Sequence, residues 1–216
     1  MSHAIRNGKG ARSAQSAHGE LTADDAAGAQ GEAHEQAQAP AVAPTLSKPF
    51  TEGFRLLALD IDHLLQGSPN RSVLVMSALP KEGRTTTAAG LARAFAEVAT
   101  PVALVDANPA AVIGSAPVAG QPYEVISPWA TYDTQAEVVD YVRLVLESGR
   151  SAGATVVIDV PPATTSSLGF FLAPLVGGVL YVMRTRRTPD ATFAAAVRSQ
   201  LDLLGVKVLG VVVNEG

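Results

Sequence analysis

Short runs of β-branched and aliphatic residues alternate along the chain with segments of helical composition, and this alternation limits the fold more than any other feature. The clearest runs are "SVLVM", "VALVD", "TVVID", "GVLYVM" and "VLGVVV". Continuous Val, Ile and Leu runs mark strands that are buried on both faces, as in parallel sheets covered by helices. We therefore predict an α/β fold, with a mainly parallel sheet and helices on both of its faces.

The spacing of apolar residues also predicts where each element lies. Strands are predicted at residues 71–77, 101–107, 123–127, 154–162, 177–184 and 206–214. Helices are predicted over 85–99, over 135–149 with an end at Gly149, and over 190–205 with Asp190 as N-cap. An earlier helix begins the folded part and presents one apolar face, formed by Phe54, Leu57, Ile61, Leu64 and Leu65.

Composition excludes several classes of function. The 216 residues include no cysteine and carry a formal net charge of −4, which excludes thiol, disulfide and cysteine-zinc chemistry and gives no reason to expect nucleic-acid binding. Residues 1–47 lack aromatic residues, so we predict a disordered tail there, in which His3, His18 and His34 lie too far apart for a metal site. One domain is predicted over 48–216, with a cytoplasmic location as the default.

The stretch "SALPKEGRTTTAAG", Ser77 to Gly90, lies between a predicted strand and a predicted helix. In phosphate loops of the pattern G-x-x-x-x-G-K-[ST], backbone amides hold phosphates, the lysine reaches the outer oxygens and the hydroxyl binds magnesium. Gly83 and Thr85 match, whereas Ala78 and Arg84 replace the first glycine and the lysine. Two interpretations stand: a nucleotide site, or a tight turn without a ligand.

Two carboxylates favour the first interpretation. Asp106 ends the strand "VALVD" and Asp159 ends "TVVID". A lone aspartate at a strand end is usually a turn or helix cap. Two of them at the carboxyl edge of a parallel sheet, where ligands of such folds bind, suit a magnesium ion with oxygen ligands and retained waters.

These motifs resemble those of the bacterial tyrosine kinases (BY-kinases), cytoplasmic P-loop proteins that pair with membrane proteins controlling polysaccharide chain length. The family's S-x-x-P-x-E-G-K-[ST]-T Walker A segment is matched by Ser77, Pro80, Glu82, Gly83, Thr85 and Thr86. Its D-x-D motif appears as "LVDAN", with Asn108 in place of the second acid, and its D-x-P-P motif is intact as "VVIDVPP". The resemblance extends over roughly residues 48–216 and implies a P-loop NTPase fold.

The chain departs from the family at several positions. Arg84 stands for the Walker A lysine, and Gly90 stands for the asparagine of the family's A-N-L-A segment. "PFTEGFRLL" is similar to the E-x-x-R-x-x-R helix that supports ring assembly, with Glu52 and Arg55 retained and Ala58 in place of the second arginine. No tyrosine-rich tail is recognisable before Gly216, because the four tyrosines are scattered.

The resemblance implies a role for each matched residue. Gly83, Arg84, Thr85 and Thr86 would contact the phosphates of ATP or ADP, and Thr85, Asp106 and Asp159 would bind Mg²⁺. Asp106 would serve as the metal-linked acid or as the base that activates a hydroxyl, and Arg84 would act beside it in catalysis. Because arginine is bulkier than lysine and fork-shaped, phosphoryl transfer is expected to suffer more than nucleotide binding.

Three functions follow as hypotheses. The first is a BY-kinase-like ATP-binding protein of capsular or exopolysaccharide biosynthesis, weak or inactive as a kinase. It would regulate a membrane polysaccharide co-polymerase that controls chain length, and this partner would hold it at the inner membrane. Homo-oligomers would form through the helix that contains Glu52 and Arg55. The second is a partitioning or septum-placing ATPase, although Leu79 stands where those proteins carry an extra lysine. The third is a nucleotide-free adaptor.

Overall fold

The computed structural model describes residues 48–98, 101–109, 122–185 and 188–215. The predicted tail over 1–47 and its three histidines lie outside the described residues, so the domain boundary at Lys48 stays a prediction. The helices are α1 (Lys48–Leu64), α2 (Arg84–Glu97), α3 (Gln135–Ala152), α4 (Leu168–Leu172) and α5 (Thr188–Leu203). The strands are β1 (Ser72–Ser77), β2 (Val102–Asp106), β3 (Glu124–Ile126), β4 (Thr155–Asp159), β5 (Gly178–Arg184) and β6 (Val208–Asn214).

The six strands form one sheet in the order β3-β2-β4-β1-β5-β6, and every neighbouring pair is parallel. The predicted fold class is therefore confirmed. Strand β1 lies inside the sheet between β4 and β5, and the helix that follows it begins at Arg84. The loop after β1 consequently opens where the strand order changes direction, which is the usual ligand position in open α/β sheets.

Alternate residues of the strands supply two separate hydrophobic cores, one on each face of the sheet. One face of β1 presents Leu74 and Met76 to helices α3, α4 and α5, through a cluster that includes Val142, Leu172 and Leu201. The opposite face is covered by α1 and α2. Its cluster contains Phe54, Ile61, Val73, Val75, Leu91 and Phe95. Helices thus cover both faces, as the continuous apolar runs predict.

Helix α1 packs against α2 at a glycine. A methyl group built at Gly90 would lie only 2.4 Å from the ring of Phe54. The phenyl ring, 8% exposed, therefore occupies the space that any larger side chain at position 90 would need. This contact gives a structural reason for glycine at the position where the family carries asparagine.

Several predicted boundaries are wrong. Helix α3 continues past Gly149 to Ala152 and ends at Gly153, whose φ of 65° is the left-handed conformation that glycine adopts without strain. Helix α5 begins at Thr188, so Asp190 lies inside it and is not the N-cap. On α1, Leu64 is 38% exposed and is not part of the buried face. Among the described residues, none of the helices combines the length and the apolar character that a bilayer span requires.

Candidate functional site

The loop between β1 and α2 is held in a phosphate-loop-like turn by its own residues. Gly83 has φ 93°, a left-handed conformation that favours glycine. Glu82 is 3% exposed, and its Oε2 accepts a hydrogen bond of 2.7 Å from the amide of Leu79. The Thr87 amide and hydroxyl both donate to the carbonyl of Gly83, at 2.9 and 3.0 Å. The turn is therefore fixed at both ends before any ligand binds.

The segment after β4 fixes the start of the same loop. The amide of Ala163 donates to the carbonyl of Ser77 at 2.9 Å, and the Thr164 hydroxyl donates to the carbonyl of Ala78 at 2.8 Å. Ala78 is fully buried. The intact D-x-P-P motif thus leads directly into the segment that anchors the phosphate-loop-like turn.

The two predicted carboxylates lie side by side. In the register of β2 and β4, Asp106 is paired directly with Asp159. Ala107 maintains this arrangement, because its amide donates to the carbonyl of Asp159 at 2.8 Å and its carbonyl accepts from Trp129 Nε1 at 2.8 Å. The prediction that both acids meet at the carboxyl edge of the sheet agrees with this geometry, while their roles stay predictions.

The guanidinium of Arg84 is directed at Asp159. Arg84 Nε lies 2.5 Å from Asp159 Oδ1, and Arg84 Nη1 donates to Ser77 Oγ at 3.3 Å. Both charged side chains are buried, with 8% of Arg84 and 2% of Asp159 exposed. The residue in the place of the Walker A lysine is therefore already paired with the acid that ends β4.

A cleft of about 520 Å³ opens beside this pair. Gly83, Arg84, Thr85 and Thr86 all line it, as predicted for phosphate contacts, and Asn108 lines it from the end of β2. Asp106 and Asp159 are not among its lining residues. The structure thus brings the four predicted phosphate contacts to one cleft, and two residues of its lining contact the acids: Arg84 bonds to Asp159, and the amide of Asn108 donates to Asp106.

Sequence reasoning missed two residues at the cleft. Lys81 is exposed, lines the cleft and has φ 65°, a conformation that is uncommon for a residue with a side chain. Asn214, at the end of β6, places its Nδ2 atom 3.4 Å from the carbonyl of Glu82. A methyl group built at Gly83 would lie 2.5 Å from that nitrogen. For Asn214, the available signal in the sequence was a polar residue directly after the apolar run "VVV". Lys81 gave no such signal, because it does not lie at a position where these loops usually carry a lysine.

Burial and the neighbouring Asp159 raise the pKa of Asp106 to about 6, and a hydrogen bond from the amide of Asn108 opposes the shift. Burial also raises the pKa of Asp159, while Arg84 and the hydroxyl of Thr85 favour its ionised form. Asp106 therefore binds a proton at a higher pH than an ordinary aspartate does. An ionised Asp106 beside Asp159 is a locally unfavourable arrangement.

This arrangement predicts a pH-dependent stability. The folded-state pKa of about 6 lies above the usual value of about 3.9, so the folded state binds more protons between pH 4 and 6 and loses stability as pH rises through 6. We expect Asp106→Asn to raise the free energy of unfolding at pH 7.5 by on the order of 1–2 kcal/mol, allowing for partial exposure. Urea unfolding at pH 7.5 and pH 4.5 checks this, and a benefit that is as large at pH 4.5 would contradict it.

A magnesium ion does not fit the acids as they stand. Within the described ranges, no three His, Cys, Asp or Glu side chains form a group that could hold a metal ion. Oδ1 of Asp159 is bonded to Arg84, and its Oδ2 is buried with no hydrogen-bond partner among the described residues. A divalent cation at Asp159 would therefore meet the positive charge of Arg84, and of the predicted set of Thr85, Asp106 and Asp159 only Thr85 lines the cleft.

The residues predicted for assembly pair within the chain. On α1, Arg55 Nη1 lies 3.1 Å from Glu52, and its Nε lies 2.7 Å from Glu97 of α2. Both Arg55 and Glu52 are more than half exposed. Ala58, in the place of the family's second arginine, is 1% exposed in the core against α2. An arginine could not be accommodated there without displacing α1.

Comparison with known proteins gives one curated relative and several solved structures. No protein-family model matches the chain. The chain is 27% identical over 197 residues to the succinoglycan biosynthesis transport protein ExoP of Rhizobium meliloti (strain 1021). This match covers 77% of the chain but only 25% of ExoP, so the chain spans about a quarter of that relative's length.

Two solved kinase domains have a similar fold. The kinase domain of the Escherichia coli tyrosine kinase ETK superposes with a TM-score of 0.64 at 20% identity, over 76% of the chain and 74% of that domain. The kinase domain of VpsO gives a TM-score of 0.59 at 20% identity, over 78% of the chain and 97% of that domain. The chain therefore has the fold of bacterial tyrosine kinase domains, and the resemblance predicted from its motifs is confirmed.

Proposed function

We propose that this chain is a nucleotide-binding domain of exopolysaccharide biosynthesis that resembles the BY-kinases but transfers phosphate weakly or not at all. The observation that carries the proposal is the buried pair of Arg84 and Asp159, 2.5 Å apart. The glycine turn, the α2 N-terminus and the cleft supply what binding ATP or ADP requires. The cation in the place of the Walker A lysine is already paired with a buried carboxylate.

The weak transfer follows from the geometry of the reaction. Phosphoryl transfer depends on positioning and on charge neutralisation at the outer phosphates. Moving a catalytic group by about 1 Å can cost on the order of a hundredfold in rate. Arg84 Nε is held by Asp159, so moving the guanidinium to where a lysine ammonium would lie would leave a buried carboxylate unpaired. Binding through backbone amides needs no such rearrangement.

Incubation with labelled ATP tests the kinase part of the proposal. We expect the purified chain, with magnesium and a tyrosine-containing acceptor, to incorporate no more label than an Asp106→Ala variant. An Arg84→Lys variant in the same assay shows whether a compact ammonium restores transfer. Label in the wild-type chain well above the Asp106→Ala background would contradict the proposal of weak activity.

The proposed partner is a membrane polysaccharide co-polymerase that controls chain length. Its support is the BY-kinase resemblance together with the likeness to ExoP, a succinoglycan biosynthesis transport protein. The partner would hold the chain at the inner membrane, where the domain regulates polymer length through its nucleotide state. Retention of the chain by the detergent-solubilised partner, with and without ATP, tests this role.

A nucleotide-free adaptor is the second candidate, and one contact favours it. Asn214 Nδ2 lies against the Gly83 turn, while Arg84 is already paired with Asp159. In this alternative the loop is complete without a ligand. Binding of ATP or ADP raises the melting temperature by mass action, so the absence of any shift at millimolar nucleotide would favour the adaptor over the nucleotide-binding domain.

A further inference from the structure

We propose that the cleft binds its nucleotide without a magnesium ion, with Arg84 neutralising Asp159 and Lys81 serving as the counter-charge for the phosphates. This inference rests on the proposed nucleotide binding and specifies the form of the ligand: free ATP or ADP and not their magnesium complexes. Three observations carry it, concerning Asp159, Thr85 and Lys81 in turn.

The first observation is the contact between Arg84 and the acid that ends β4. Phosphate-loop proteins use such an acid to hold magnesium, which then offsets the negative charge of the nucleotide. Here the guanidinium of Arg84 makes a charge-assisted hydrogen bond of 2.5 Å to Asp159 Oδ1 inside the protein. The acid is already neutralised, and a divalent ion would have to displace a buried cation that has no other carboxylate partner among the described residues.

The second observation concerns the loop hydroxyl. In the standard loop the hydroxyl after the lysine is a magnesium ligand. Here Thr85 is exposed and lines the cleft, whereas neither Asp106 nor Asp159 is among the residues that line it. Of the three side chains predicted to hold magnesium, Thr85 alone lines the cleft, while the Asp159 carboxylate is buried beside Arg84. Magnesium prefers near-octahedral oxygen coordination and gives up its water reluctantly, so this arrangement does not compete for it.

The third observation is a cation at the mouth of the cleft. Lys81 lines the cleft and is exposed, and its ammonium forms no ion pair with a described residue. Lysine is a compact point charge on a flexible stem, which suits a phosphate whose position is set by backbone amides. Lys81 therefore offers the positive charge that neither Arg84 nor a metal supplies here.

Calorimetric titration of the whole chain with ATP and with ADP, once in excess magnesium and once in EDTA, tests the proposal. We expect affinity in EDTA to equal or exceed affinity in magnesium, because the free nucleotide carries more negative charge toward Lys81. Binding that requires magnesium would overturn this inference and leave the proposed function intact. No binding in either buffer would overturn the proposed function and the inference with it.

A charge variant of the loop gives a second measurement. Lys81→Met should weaken ATP binding in EDTA by about tenfold or more, the loss expected for one charge-assisted hydrogen bond. Arg143→Met is the matched control, because Arg143 is an exposed cation of α3 that does not line the cleft. Equal losses in the two variants, or no loss in Lys81→Met, would overturn the role of Lys81.

A substitution of Asp106 distinguishes metal-free binding from magnesium-dependent binding, because the two modes predict opposite changes in ATP affinity. Without a metal, the Asp106 carboxylate repels the phosphates, so Asp106→Asn should raise ATP affinity by about threefold or more for one charge at moderate range. If a magnesium ion linked Asp106 to the nucleotide, the same variant would lower affinity. The metal-free mode would therefore be overturned if Asp106→Asn lowered ATP affinity in the magnesium buffer and did not raise it in EDTA.

Discussion

Arg84→Met is expected to lower the free energy of unfolding by about 3–5 kcal/mol, the usual result of removing one partner from a buried ion pair. Methionine retains much of the volume of the arginine stem, so the loss reflects charge more than packing. The variant leaves Asp159, 1% exposed, without its cation. A domain stable by about 5–15 kcal/mol would lose a large part of its margin. The midpoint of urea unfolding, followed by circular dichroism, measures the change.

Two further variants make this prediction specific. Arg198→Met removes a cation from an exposed pair with Asp202, at 2.8 Å, and should cost no more than about 1 kcal/mol. Combining Arg84→Met with Asp159→Leu removes both buried charges and should recover most of the loss, since apolar replacements of buried pairs are often neutral. A single variant as stable as the wild type, or a double variant no better than Arg84→Met, would contradict the account.

Gly90→Asn is expected to destabilise the chain by about 1–3 kcal/mol, although asparagine has the better helix propensity of the two. The new side chain would have to occupy space held by the Phe54 ring, 2.4 Å from a methyl group at that position. Either the ring leaves its place in the core or α1 moves away from α2. Loss of Phe54 burial should then appear in the urea midpoint.

Gly53 offers a matched control in the neighbouring helix. It lies within α1, and a methyl group there would meet no atom within 4 Å. Gly53→Asn should therefore change stability by no more than a few tenths of a kcal/mol, and in the stabilising direction. If the two variants were equally destabilised, the cause would be a general effect of asparagine on these helices and not the contact with Phe54.

The fold could be predicted because its signal is distributed over many residues. Strand β1, for example, is buried at all six positions, and its apolar run "VLVM" indicates a strand that is covered on both faces. The boundaries were harder because they depend on single contacts. Gly149 does not end the helix. It packs against Val156, and a methyl group built at Gly149 would lie 2.8 Å from a side-chain carbon of Val156. Glycine is therefore needed at position 149 because the helix approaches the sheet closely there, and α3 ends at Gly153 instead.

The candidate site could be located from sequence, but its internal pairing could not. The positions of Asp106 and Asp159 at strand ends indicate one edge of the sheet, and the β2–β4 register places them together. Sequence alone cannot distinguish an arginine that faces a ligand from one that turns inward to a carboxylate. That choice depends on the distance between Arg84 and Asp159, which lie 75 residues apart along the chain.

The contact of Asn214 with the Gly83 turn has a practical consequence for handling the protein. Among the described strands, β6 lies at the border of the sheet and pairs with β5 alone, and Asn214 is its last residue. A purification tag fused after Gly216 would be separated from Asn214 by only two residues and would compete with the contact between this amide and the turn. Tags are best attached ahead of Lys48, so that titrations report the native loop.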